Sequence, residues 1–181
     1  MRVRPFAVFF VALVLAISGV SLAVAQKASD ATLPKEGVLK AAEVGAKLFP
    51  DKVFFKGQMA TVQERNSAGV RFSDGSLVLA ALVDASGYAS GIREKYQGYL
   101  ISEVSLQIGG QTLKPGAYGF GFLEGNKFLV MDLGANDVFQ VSSTKDADMK
   151  RPVPFQCVAG SSAGTYRFYK GRDYVEFQRA K

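Results

Sequence analysis

Histidine and tryptophan are absent from this 181-residue chain, and cysteine occurs once. Without an imidazole, neither a Ser-His-Asp nor a Cys-His nucleophile arrangement can be assembled, and haem cannot be held through histidine. A structural zinc site takes four nitrogen or sulfur ligands, and Cys157 supplies one thiol. The sequence therefore leads to no expected metal, cofactor or catalytic residue. A lone cysteine also excludes an intramolecular disulfide, so a packed core must hold the fold. Cys157 sits in the strand-like run Pro154–Val158. A buried small hydrophobe is expected there, with an intermolecular bridge or a reactive thiol as the alternatives. Phosphate loops are missing too, because Gly109-Gly110 and Gly119-Phe120-Gly121 belong to no Gly-x-x-x-x-Gly-Lys-Ser/Thr motif. No concentrated basic stripe marks a nucleic-acid face.

What is present begins at the N-terminus. Arg2 and Arg4 precede an uncharged stretch from Pro5 to Ala25 that closes on Ala23-Val24-Ala25. A positive n-region, an apolar h-region and an A-x-A-like site read as a secretory signal peptide over 1–25. An exported protein is expected, periplasmic or extracellular, that meets the membrane only transiently through this segment. The alternative is an uncleaved anchor, since the stretch is long enough to span a bilayer. Cleavage leaves 156 residues, enough for one domain with a real core. Loss of Arg2 and Arg4 lowers the formal +6 to +4. Solubility alone explains so small a charge, although a weak attraction to anionic glycans or lipid head groups is compatible with it.

Residues 26–34 read as a polar leader. Over 35–50, Val38, Ala42, Gly45 and Phe49 recur at helical spacing and Pro50 forbids continuation, which predicts one N-terminal helix. From 51 to 181 short β-rich runs alternate with turn dipeptides: Asp74-Gly75, Gly109-Gly110, Pro115-Gly116 and Gly125-Asn126. The expected fold is an all-β antiparallel sandwich, or alternatively a small β-barrel, with that helix in front. Two-residue loops would set the registers. At Gly125-Asn126, Glu124 would face Lys127, and Phe120 and Phe122 would share a face with Met131 and Leu129. At Asp74-Gly75, Val70 and Phe72 would share a face with Leu77 and Leu79. Leu77–Val83 is apolar on both faces and predicts an interior strand covered on both sides. An internal likeness joins Gly116–Met131 to Gly164–Phe177, each reading as an aromatic hairpin with matching side-chain facing.

The run Val104–Phe120, with Gly109-Gly110 followed by Leu113-Lys-Pro-Gly116-Ala-Tyr118, resembles a segment of uncharacterised exported bacterial proteins. Acidobacterial secreted proteins and a periplasmic domain family of unknown function share this strand–turn grammar, over roughly residues 97–133 of this chain. The resemblance implies a β-sandwich module and carries over no catalytic residue.

Two places could carry chemistry. Tyr88, Arg93, Lys95, Tyr96 and Tyr99 cluster on a Gly/Ser-rich loop that could bind sugars or anions by stacking and charge. The plainer reading is a loop packed down by its own tyrosines. Asp132 ends the apolar run Phe128–Met131, and the two-residue register sets it beside Gly119, where a shallow ligand slot could form. A wet-side carboxylate is the plainer reading there. Paired-carboxylate hydrolysis would draw on Asp84, Glu103, Asp132 and Glu176. The basic and aromatic interleaving of Tyr166–Arg179 follows from strand alternation. The expected function is a non-catalytic module that binds envelope glycan or a protein partner. The alternatives are a small hydrolase using paired carboxylates and a lipocalin-like carrier of an apolar ligand.

Overall fold

The computed structural model describes residues 33–181. The expected signal peptide over 1–25, and the expected leader as far as residue 32, lie outside them. Along the chain run β1 (Gly37–Leu39), α1 (Ala41–Leu48), β2 (Lys52–Phe55), β3 (Gln58–Arg71), β4 (Leu77–Asp84), α2 (Ser90–Arg93), β5 (Gly98–Ser102), β6 (Leu106–Ile108) and β7 (Gln111–Leu113). There follow β8 (Gly116–Leu123), β9 (Lys127–Met131), β10 (Asp137–Ser142), β11 (Thr144–Lys145), β12 (Gln156–Ala159), β13 (Thr165–Lys170) and β14 (Asp173–Arg179). They form two antiparallel sheets. The larger runs β1-β3-β4-β5-β8-β9-β10 with β2 also on β3, and the smaller runs β12-β13-β14-β6-β7 with β11 also on β14. The all-β sandwich expected from the turn pattern is what forms.

The expected helix over 35–50 does not form as such. Gly37–Leu39 pairs with Arg71–Gly69 as an edge strand. Only Ala41–Leu48 is helical, and Gly45 interrupts it with φ −34° and ψ −120°. The Lys40 amide donates to the Glu43 carboxylate at 2.7 Å, which starts the first turn. A side chain at Gly45 would press on Glu64 at 3.3 Å, so the helix lies directly on β3.

Two cores flank the larger sheet. Between the sheets, Val78, Ala80, Leu82, Leu100, Phe120, Phe122, Phe128 and Val130 meet Leu106, Ile108, Phe155, Phe168, Val175 and Phe177. Cys157 is buried among them and free; burial pushes its thiol pKa well up. The second core lies on the outer face. Leu79, Ala81 and Val83 of β4 meet Leu39, Val44, Phe49, Phe55, Tyr88, Tyr96 and Tyr99 there. Strand β4 is thus covered on both sides, as its double-faced apolarity requires.

Register is where the sequence reading fails. Gly119 pairs with Met131 and Leu123 with Lys127, so Glu124-Gly125-Asn126 is a three-residue loop. Val70 pairs with Val78 and Arg71 with Leu77, again one residue off a two-residue turn. Because strand facing has a period of two, each single extra residue inverts one strand. Leu129 and Met131 go to the outer core while Phe128 and Val130 go to the sandwich core. Leu77 and Leu79 likewise face outward, away from Val70 and Phe72. The paired aromatic hairpins are therefore not equivalent. Lys170 pairs with Asp173 around a two-residue loop, which sends Phe177 into the sandwich core whereas Met131 leaves it. By contrast Ile108 pairs with Gln111 as the Gly109-Gly110 turn dictates.

The run Gly98–Ile108 is two strands that change sheets after Ser102. The chain returns at Lys114-Pro115-Gly116, between β7 and β8. There the Tyr118 hydroxyl donates to the Lys114 carbonyl at 3.0 Å, the geometry of a tyrosine corner. The Leu-x-Pro-Gly-x-Tyr pattern is thus the signature of a sheet-to-sheet crossing rather than of a hairpin turn.

Candidate binding surface

The outer core is closed by a hairpin that folds over the sheet. Strand β3 pairs with β4 up to Val62↔Val83 and resumes at Ser67↔Ala81, so residues 63–66 bulge out. The Ser67 hydroxyl donates to the Glu64 carbonyl at 2.6 Å and holds the bulge. Beyond it, β2 and the first half of β3 cross the outer face until the Lys56 amide donates to the Leu133 carbonyl at 2.8 Å. Leu133 follows β9, four strands away from β3 in sheet order. Lys56-Gly57 makes the tight turn with φ of 48° and 79°.

Two glycines admit this cover. A Cβ at Gly119 would meet the Phe55 ring at 2.5 Å and Tyr96 at 3.0 Å. A Cβ at Gly121 would overlap the Lys95 carbonyl oxygen. The alternative of a ligand slot opposite Asp132 is therefore ruled out by the Phe55–Tyr96 stack, whose centroids are 3.7 Å apart at 11°. Asp132 is not beside Gly119 either. Its carboxylate accepts the amides of Gly134 at 2.8 Å and Asn136 at 2.9 Å, and so caps the turn after β9.

The tyrosine cluster packs inward. Tyr88, Tyr96 and Tyr99 are all buried, so the loop is packed down by its own tyrosines and the alternative of an exposed aromatic patch there is not formed. Tyr88 donates to the Phe55 carbonyl at 2.9 Å with the Gln58 carbonyl 3.2 Å away, and thereby locks the hairpin from beneath. Tyr99 meets Phe49 edge-on. Arg93 stays exposed on α2, where it lines a shallow surface pocket together with Tyr96. Lys95 pairs with Asp137 at 3.1 Å and fastens the loop to β10. The Gln97 amide accepts from the Phe122 amide and donates to the Phe122 carbonyl, both at 3.0 Å, extending the ladder by a side chain.

Tyr96 has a hydroxyl with no hydrogen-bond partner among the described residues, in a side chain with no exposure. Burial raises its pKa strongly. An unmet buried hydroxyl costs about 1–3 kcal/mol. Tyr96→Phe is accordingly expected to stabilise the protein by about 1 kcal/mol, read as a higher urea midpoint at unchanged slope. A lower midpoint would show that the hydroxyl has a partner.

The four strand-end acids do not converge. Glu103 accepts the Leu77 amide at 2.8 Å at one end of β4, whereas Asp84 accepts the Ser86 amide at 2.9 Å at the other. Glu176 pairs with Arg167 at 2.9 Å on the smaller sheet. Among the described residues no group of three or more acid or thiol ligands could hold a metal ion. A groove of about 740 Å³ beside α2 is lined by Glu94, Lys95, Glu124 and Lys127 over Phe122; Lys95 is paired with Asp137 and the Phe122 backbone with the Gln97 side chain.

Turn-capping holds the carboxyls of Asp74, Asp84 and Asp132 low. Ser76 is the main cause at Asp74 (which falls to about 2), Ser86 at Asp84 and Asn136 at Asp132. Depressed folded-state values mean stability present above pH 3.8 and lost as pH falls towards 2. The urea midpoint should therefore decline across that window; a flat profile would contradict these caps.

What remains open to solvent is the upper side of the hairpin. Phe54 is 50% exposed and Met59 57%, and they are direct cross-strand partners. Lys52 faces Thr61 two pairs further along, on the same side of the hairpin. The opposite side, Val53, Phe55, Ala60 and Val62, is core. The sequence reading missed this surface, although Lys56-Gly57 between Val53-Phe-Phe55 and Met59-Ala-Thr-Val62 carries the alternation that reveals it. Comparison of the chain with protein-family models, curated proteins and solved structures gives no match.

Proposed function

We propose that this protein is an exported, non-catalytic binding module whose contact surface is the solvent face of the β2–β3 hairpin. The observation that carries this is the Phe54–Met59 pair. Two large apolar side chains stand side by side in water on a strand pair fixed beneath by Tyr88, Tyr96 and Leu133. Isolated exposed hydrophobes need no explanation, but an adjacent pair on a rigid base is what a contact site requires. Export is supported by the basic start, the uncharged run and the Ala-x-Ala end of residues 1–25.

Washed envelope fragments provide the test. The wild-type chain should co-sediment with them, and Phe54→Ser/Met59→Ser should reduce this at least about tenfold, given the apolar area lost. N-terminal sequencing of the exported protein should begin at Gln26. Equal sedimentation of wild type and variant would refute the hairpin as the contact surface.

A further inference from the structure

We infer that the hairpin meets an anionic lipid surface, with Phe54 and Met59 entering the interface and Lys52 and Lys56 neutralising head groups. This rests on the hairpin being the contact surface and goes beyond the transient membrane encounter of a signal segment. From Lys52 to Gln63 the chain carries two lysines and no carboxylate, with Asp51 and Glu64 flanking the run and Asp132 near Lys56. Both lysines are exposed, Lys52 on the strand that bears Phe54 and Lys56 at the turn. An apolar pair flanked by cations is complementary to a layer whose outer atoms are anionic and whose next layer is hydrocarbon. A second copy of the chain fits worse. Packing Phe54 against Phe54 of a twin would set Lys52 and Lys56 near their own counterparts, and no carboxylate lies between them along the strands, the nearest being Asp51 before β2, Glu64 in the bulge of β3, and Asp132, which feels the charge of Lys56. The rigid base matters equally, because no ordering cost arises on contact. Among the described residues no helix is long and apolar enough to cross a membrane.

A local probe separates hairpin contact from anything residues 1–32 do. Cys157 is buried, so a thiol introduced at Gln58 can be labelled selectively with an environment-sensitive nitrobenzoxadiazole dye. Vesicles of 30% phosphatidylglycerol in phosphatidylcholine at low salt should give a blue shift and a severalfold intensity rise. Phosphatidylcholine vesicles alone should give neither. A label at Val153→Cys, exposed elsewhere on the surface, should stay unchanged. Lys52→Glu/Lys56→Glu should weaken the response at least about 30-fold, from about 1 kcal/mol per lysine near a charged surface. Phe54→Ser/Met59→Ser should abolish it. A silent Gln58 label on anionic vesicles, or an equal response on neutral ones, overturns the inference. If the label is silent while envelope sedimentation still depends on Phe54 and Met59, the hairpin remains the contact surface and its occupant is a glycan or protein instead.

Discussion

Gly121→Ala should lower stability by about 3 kcal/mol or more. Replacing a strand glycine by alanine ordinarily adds about 0.5–1 kcal/mol of stability, so the sign is diagnostic. At Gly121 the new methyl would occupy the space of the Lys95 carbonyl oxygen. A backbone atom cannot rotate away as a side chain can. Lys95 is moreover paired with Asp137, and Gln97, two residues on, is held by its amide contacts with Phe122. Relief therefore means lifting residues 85–97 off the sheet, with Tyr88 and Tyr96 leaving the outer core together. A fall of about 10 °C in the melting temperature should accompany this. The same substitution should loosen the hairpin, because Tyr88 and Tyr96 hold it from below. A neutral or stabilising Gly121→Ala would mean that the loop does not cross β8 there.

The second large effect contrasts neighbours. Phe55→Ala should cost about 3–5 kcal/mol and Phe54→Ala less than about 0.5 kcal/mol. Phe55 has no exposed surface and stacks on Tyr96, whereas Phe54 is half in water. Composition and hydrophobicity treat these two residues alike; only strand parity distinguishes them. Denaturant unfolding of the two variants reads the difference directly. Equal losses would show that β2 is not held in the described register. If Phe54→Ala also cuts envelope sedimentation while leaving stability intact, binding and folding are carried by adjacent residues with opposite facing.

The general architecture was legible because turn dipeptides and apolar runs act locally. Asp74-Gly75 and Gly125-Asn126 do separate paired strands, and the double-faced run Leu77–Val83 does become a covered interior strand. Loop length was not legible. A turn dipeptide does not state whether a third residue joins the loop, and that residue decides which face Leu129, Met131 and Leu77 take. The N-terminal segment misled for a related reason. Val38 and Leu39 fit a helical stripe, yet the free edge of β3 at Arg71–Gly69 offers them backbone partners that an isolated helix lacks. The outer core was invisible as a unit. It is built from α1, the β2–β3 hairpin and a tyrosine loop, which only the bend at residues 63–66 brings together. That is why an open tyrosine patch stayed an alternative in the sequence, and why the outward facing of Phe54 and Met59, set by strand alternation over this core, was not legible there.

The arrangement over Gly119 tests the account most directly, because it requires the β8–β9 register, the bend in β3 and the burial of Tyr96 all at once. In a proton NOESY spectrum the Gly119 Hα resonances should be shifted upfield and cross-relax with ring protons of Phe55 and Tyr96. Gly119 Hα protons at ordinary shifts, with contacts to the Asp132 side chain and none to either ring, would contradict it.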